Sequence, residues 1–163
     1  MESKAKILGH SAHQMLVVFP LGLLATAVVF DVIHLVGDSP TMATVAYWMI
    51  AAGIVGGLVA APFGTIDWLA IPSGTRAKAV GAWHGAGNVL VLLLFIGSWF
   101  ARGDAQTPPG TGALVLSFAG AGVSLLTAWL GGELVSRLGV GVYDDAGLDA
   151  SNSLRRDVAA TRH

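Results

Sequence analysis

Four long intervals without a charged residue divide this chain, and they constrain its fold more than any other feature. They cover residues 7–30, 39–66, 79–101 and 105–132. A helix needs about 20 mostly apolar residues to cross the roughly 30 Å hydrocarbon core of a bilayer. Each interval is long enough, and we predict membrane spans near 13–36, 43–66, 79–100 and 112–135.

Composition supports a lipid environment for these helices. The chain is 54% hydrophobic and 12% charged, whereas soluble domains carry about 25% charged residues. The connections at 37–40, 71–75 and 103–110 contain the Gly and Pro residues of turns, and short connections force antiparallel neighbours. We predict an all-α, integral membrane four-helix up-down bundle over residues 1–142, followed by a polar tail at 143–163.

The remaining composition excludes several classes of function. The chain has no Cys, so it cannot itself hold a disulfide, a zinc ribbon or a thiolate-ligated iron–sulfur cluster. Its formal net charge is -1, and no basic cluster is interleaved with aromatic residues as a nucleic-acid groove requires. The lipid bilayer is therefore the expected partner, and nucleic acid is not.

Basic residues predict the orientation of the bundle. Four spans put both termini and the second connection on one side, which we call the terminal side, and Arg102 alone is basic on the other, the opposite side. The basic residues of the terminal side are Lys4, Lys6, Arg76, Lys78, Arg137, Arg155, Arg156 and Arg162. Basic residues stay cytoplasmic, so we predict a multi-pass protein with both termini in the cytoplasm.

Polar residues enter all four spans at a similar depth near the terminal side. An ionisable group inside a membrane is costly and marks a candidate site. Helix rise places these groups one to two turns inside the edge. They are His13 on the first span, Asp67 on the second, His84 and Asn88 on the third, and Glu133 on the fourth.

We expect His13 and His84 to face each other across the core, because the first and third helices of an up-down bundle are diagonal. Two opposed imidazoles suit haem b, whose iron commonly takes axial His ligands. In this hypothesis His13 and His84 are the ligands, while Asn88, Asp67 and Glu133 orient the rings. The chain would then transfer electrons between a quinone or membrane donor and a soluble partner.

Other functions of these residues stay open. One is a single transition metal ion held by His13, Asp67, His84 and Glu133. Another is a proton or quinone site. In a third, the polar groups only fix the helices, with Asp67 or Glu133 paired to nearby basic residues. The chain is then a non-catalytic subunit or anchor without a cofactor, and no residue is predicted to be catalytic.

On the opposite side, Asp31 and His34 stand three residues apart on the first helix and can pair locally. We expect them to be structural, because we place no polar group of the third or fourth helix at their depth.

Four segments resemble a known family, domain of unknown function 2231, which consists of bacterial predicted four-span membrane proteins. The segments are GHSAHQMLVVFP at 9–20, GTIDW at 64–68, HGAGN at 84–88 and GGELV at 131–135. Ser11 stands where many members carry Pro after the first His, and Val18 stands where they carry a further His. The resemblance implies a bacterial inner (cytoplasmic) membrane, and a redox role beside a separate Rieske-type partner protein. A homo-oligomer or a subunit of a complex is also expected.

Overall fold

Long α-helices dominate the fold. The structure is a computed structural model that describes residues 1–154. A short antiparallel hairpin of β1 (Lys6–Ile7) and β2 (His10–Ser11) comes first. The helical elements that follow are α1 (Ala12–Leu16), α2 (Val18–Gly37), α3 (Pro40–Ala70), α4 (Arg76–Arg102), α5 (Thr111–Gly132) and a π-helical turn (Glu133–Arg137).

Four helical stretches are long and apolar enough to cross a membrane. They are Ala12–Gly37, Pro40–Ala70, Arg76–Arg102 and Thr111–Arg137. Each of them contains one of the spans expected from the sequence and extends beyond it at both ends. The all-α membrane bundle is therefore confirmed. The tail at 143–163 is described only as far as residue 154, and Arg155, Arg156 and Arg162 lie outside the described residues.

The first span is interrupted at Val17, where α1 ends and α2 begins. Pro20 has no backbone N–H, so it cannot donate to the carbonyl of Leu16 as a helical residue would. The backbone N–H of Val17 still donates to the carbonyl of His13 at 2.9 Å. The interruption therefore lies one turn after His13, and it separates the turn that carries this residue from the long helix.

Two of the turns between the helices have distinctive local structure. Asp38 takes a left-handed conformation, with φ 47°, between α2 and α3. Between α3 and α4, the Lys78 ammonium donates to the carbonyl of Trp68 at 2.8 Å, and the Trp68 indole donates to the carbonyl of Lys78 at 3.1 Å. A cation at a helix C-terminus also complements the helix dipole. These contacts hold α3 and α4 antiparallel.

The bundle consists of two tight hairpins. The α2 helix packs mainly against α3, and α4 packs mainly against α5. Gly53 and Gly120 permit this approach, since an added Cβ would lie 2.6 Å from Leu24 in the first hairpin and 2.8 Å from Phe95 in the second. Small residues allow close helix packing in membranes. The central core contains Leu24, Ala27, Ile50, Val91 and Phe95.

Candidate functional site

The imidazoles of His13 and His84 meet across the terminal side of the bundle. Their ring centroids are 6.4 Å apart and the ring planes are nearly perpendicular, at 89°. His13 belongs to α1 and His84 to α4, so each ring comes from a different hairpin. The predicted juxtaposition of these two residues is present in the structure.

The backbone of α3 orients His13. Its Nδ1 lies 3.1 Å from the carbonyl oxygen of Ala60. A carbonyl can only accept, so Nδ1 of His13 carries a proton. The ring rests against Gly64, where a Cβ would lie 2.8 Å from it. Glycine at this position therefore makes room for the imidazole.

His84 is oriented by α5 in the same way. Its Nδ1 lies 2.9 Å from the carbonyl oxygen of Thr127, and a Cβ at Gly131 would lie 3.1 Å from the ring. In addition, the Asn88 amide lies 3.1 Å from Nε2 of His84, and the Thr127 hydroxyl lies 3.1 Å from Asn88 Oδ1. His84 is thus a neutral ring that donates through Nδ1 and accepts through Nε2.

Asp67 has a different role from the one expected. Its carboxylate, 7% exposed, accepts from the Ser3 hydroxyl at 2.8 Å and from the backbone N–H groups of Lys4 at 2.7 Å and Ala5 at 3.3 Å. Asp67 therefore binds the N-terminal segment, residues 1–11, over the end of the bundle. The prediction that Asp67 orients an imidazole is wrong in this structure.

Glu133 lies at the first position of the π-helical turn and pairs with Arg76, at 2.7 Å. This ion pair is one of those expected if the polar groups fix the helices. The prediction that Glu133 orients an imidazole is likewise wrong, since backbone carbonyls perform that function. Within residues 1–154, no group of three or more His, Asp or Glu side chains is arranged to hold a metal ion. Of the set His13, Asp67, His84 and Glu133, the structure brings together the two histidines.

The N-terminal segment is also attached to the chain that follows the last span. The α-amino group of Met1 donates to the carbonyl of Gly139 at 2.9 Å, and the Tyr143 hydroxyl donates to the carbonyl of Gly9. Lys6 lies over the Tyr143 ring, with Nζ 4.2 Å from its centroid. The described part of the polar tail therefore packs on the terminal side.

The opposite side has a buried centre that the sequence analysis missed. Arg102 donates to both carboxylate oxygens of Asp31, at 2.9 and 2.6 Å, and the Ser117 hydroxyl lies 3.1 Å from Oδ2. The side chains of the two charged residues are 1% and 0% exposed. The expectation that the third and fourth helices bring no polar group to this depth is wrong, because Arg102 ends α4 and Ser117 is on α5. His34 does not replace them, since its Nδ1 contacts the carbonyl of Ser39 at 2.9 Å.

The surface offers two open hollows in the described part of the chain. One lies on the outer face of α2, between Val32 and Gly37. The other lies on the terminal side beside Met1, Lys4 and Pro72. Neither of these two hollows is lined by His13 or His84.

A chain with four apolar spans and a polar centre near each end is an integral membrane protein of the four-helix class. It belongs to the family described as "Predicted membrane protein (DUF2231)", whose profile matches residues 9–144. The resemblance seen in the sequence is thereby confirmed. Neither the curated proteins nor the solved structures gave a match to this chain.

Proposed function

We propose that this chain is a membrane electron-transfer protein in which His13 and His84 would hold a haem b. The observation that supports this proposal is the matched presentation of the two rings. Each one donates Nδ1–H to a backbone carbonyl, which leaves Nε2 as the ring nitrogen that could bind a ligand. Carbonyl partners orient metal-binding histidines in this way.

The ring spacing is also suitable. With 6.4 Å between their centroids, the two imidazoles are near enough that both would hold one cofactor between the hairpins.

The number of protein ligands favours haem over a bare ion. A protein-bound zinc takes at least three protein ligands, whereas the described residues near the histidines supply no third His, Asp or Glu. In haem the macrocycle provides the other four nitrogens. Bound there, haem supplies one-electron transfer. His13 and His84 would hold the haem. The Asn88 amide, which lies 3.1 Å from Nε2 of His84 in this structure, would keep its contact with the His84 carbonyl, at 2.9 Å here.

The proposed location is the bacterial inner membrane, with both termini in the cytoplasm. Lys4, Lys6, Arg76, Lys78 and Arg137 lie on the terminal side, and the positive-inside rule favours its cytoplasmic placement. The one basic residue of the opposite side in the described chain, Arg102, is neutralised by Asp31. A quinone or a Rieske-type protein would then serve as redox partner.

The test is an optical spectrum of the detergent-purified protein, oxidised and dithionite-reduced, after expression with haem supply. We expect a Soret band with sharp reduced bands, which His13→Ala and His84→Ala abolish. His34→Ala is the matched control, because His34 has the same Nδ1-to-carbonyl contact on the opposite side. A colourless protein that contains stoichiometric metal would overturn the haem proposal and indicate a metal ion at the site instead.

A second candidate function is a non-catalytic anchor or subunit, for which the His84–Asn88 contact is the specific observation. The Asn88 amide already satisfies Nε2 of His84, as expected of a purely structural histidine. In that case the purified protein is colourless and free of metal. His13→Ala then lowers the unfolding temperature while no spectrum changes.

A further inference from the structure

The two hairpins carry equivalent residues at a constant interval on their first helices. Arg102 follows its partner Asp31 by 71 residues, and the histidines and two core residues keep the same interval. The pairs are His13 with His84, Leu24 with Phe95, and Asp31 with Arg102. Members of each pair share a role: the first two meet at the terminal side, the next two occupy the central core, and the last two form the buried ion pair.

The second helices of the hairpins show a constant interval of their own. Residues on α5 follow their counterparts on α3 by 67 positions, as 131 follows 64. The pairs are Gly53 with Gly120, Ala60 with Thr127, and Gly64 with Gly131. The equivalent residues are therefore spaced along each helix of the second hairpin as they are along the matching helix of the first.

The contacts repeat together with the spacing. Leu24 packs on Gly53 in the first hairpin, as Phe95 packs on Gly120 in the second. Likewise each histidine donates to a carbonyl, His13 to that of Ala60 and His84 to that of Thr127. Each ring also rests on a glycine, which follows the carbonyl residue by four positions. Equal spacing with equal contacts is the property of a structural repeat.

We infer that the chain is two copies of one helical hairpin, and that each copy supplies the same half of the histidine site. The half-site consists of an imidazole, a carbonyl that accepts its Nδ1–H, and a glycine one turn further along. Both copies begin on the terminal side, so they are parallel repeats related by a pseudo-two-fold axis along the membrane normal. This axis passes between His13 and His84 and between Asp31 and Arg102.

Two consequences follow for the site, of which the first rests on the proposed function. First, a ligand on the axis is shared by the two copies, so one haem binds per chain. Second, Gly64 and Gly131 are positioning residues with equivalent effects, because each determines where one ring can lie. The copies differ at Asn88, whose counterpart by the interval of 71 is Val17 at the helix interruption. Among the residues that the structure describes, a side chain therefore contacts Nε2 of His84 but not Nε2 of His13.

The test uses the full-length protein with ¹⁵N-labelled histidine and compares ring-nitrogen signals by NMR, before any haem is added. In the wild-type protein we expect His13 and His84 to share the Nδ1–H tautomer. Gly64→Ala should shift the ring signals of His13 more than those of His34, and Gly131→Ala should do the same for His84.

Gly53→Ala and Gly120→Ala are the matched controls, since they are the repeat-related glycines that contact core residues and no histidine. They should lower the unfolding temperature and leave both imidazole tautomers unchanged. In haem-loaded samples, Gly64→Ala and Gly131→Ala should each weaken haem binding by about 10–100-fold, the range for partners that orient metal-bound histidines. Haem should saturate at one per chain.

The two proposals fail differently. A wild-type protein that stays colourless overturns the haem proposal, while the tautomers and their response to Gly64→Ala and Gly131→Ala still test the repeat. Different tautomers for His13 and His84 in the wild-type protein would overturn the shared half-site, and this measurement needs no variant to fold. The shared half-site would also be overturned if Gly64→Ala and Gly131→Ala shifted neither set of ring-nitrogen signals, or if the control variants shifted both.

Discussion

The two polar centres of the bundle differ in how their hydrogen bonds are completed. On the opposite side, Asp31 and Arg102 neutralise each other and are almost fully buried. On the terminal side, His13 and His84 donate Nδ1–H to backbone carbonyls of the neighbouring helices, and the Asn88 amide contacts Nε2 of His84. A closed ion pair is suited to holding two hairpins together, whereas Nε2 of His13, which has no hydrogen-bond partner in the described chain, is suited to binding a ligand.

The largest effect is expected from breaking the closed centre. Arg102→Leu leaves the Asp31 carboxylate buried without a cation, which costs about 3–5 kcal/mol when one member of a buried pair is removed. The free energy of unfolding in detergent measures this loss.

The matched control for Arg102→Leu is the double variant Asp31→Leu/Arg102→Leu, which removes both charges. Replacement of a buried pair by apolar residues is often neutral, so the double variant should recover most of the stability. A double variant as unstable as Arg102→Leu would show that the ion pair itself, and not the cost of a lone charge, stabilises the bundle.

A smaller effect is expected at the terminal side, where Asp67 binds the N-terminal segment. Asp67→Asn removes the charge that accepts from Ser3, Lys4 and Ala5. Hydrogen bonds to charged groups contribute about 1.5–3 kcal/mol, so stability should fall within that range. Trypsin should also cleave after Lys4 and Lys6 faster than in the wild-type protein.

Ser3→Ala is the companion variant for Asp67→Asn, because it removes one of the donors and leaves the carboxylate. It should increase cleavage less than Asp67→Asn does. Equal cleavage of Asp67→Asn and wild-type protein would mean that the segment stays bound through Met1 and Tyr143, which contact the chain after the last span.

Much of the fold could be predicted because charges interrupt this sequence only near the ends of its spans, and of these charged residues Asp31 lies farthest inside a span. The His13–His84 pair could be predicted for a related reason: equal depth on diagonal helices fixes a meeting point once the topology is known. The ion pair could not, because Arg102 stands two residues beyond the predicted end of its span. Helix ends are the least certain part of any sequence-based assignment.

Hydrogen bonds from side chains to the backbone also could not be predicted from the sequence. Asp67 is held by the N–H groups of Lys4 and Ala5, and the histidines by carbonyls of Ala60 and Thr127. Every residue but proline offers such groups, so their use leaves no mark in the sequence. The repeat was missed as well, because equivalent positions hold different residues such as Asp31 and Arg102. The signal available was the equal spacing of two histidines and two charges.

The Arg76–Glu133 ion pair is more exposed than the Asp31–Arg102 pair and should stabilise the bundle less. Arg76 is 60% exposed and Glu133 is 20% exposed, and exposed ion pairs contribute about 0.2–1 kcal/mol. A double-mutant cycle with Arg76→Gln and Glu133→Gln should give a coupling near the lower limit. Added salt should reduce it, because solvent-exposed charges are screened. A coupling as large as that of Asp31 with Arg102 would contradict this reading.

The smallest effect is expected in the exposed loop of the opposite side, and it depends on pH. Backbone N–H groups of Thr107 and Gln106 donate to Asp104, at 2.8 and 2.9 Å, and they hold the pKa of this carboxyl below its ordinary value of 3.8. A lowered pKa means that the carboxylate stabilises the folded loop above the unfolded pKa, and that this contribution disappears as pH falls through the folded pKa. The protection factors of the Gln106 and Thr107 amide protons, which compare the measured exchange rate with the intrinsic rate at each pH, should therefore fall below about pH 4. Asp104→Asn should remove this pH dependence. The Asp31–Arg102 pair should remain intact over the same pH range, because the loop turn and the buried centre share no hydrogen bond in the described chain.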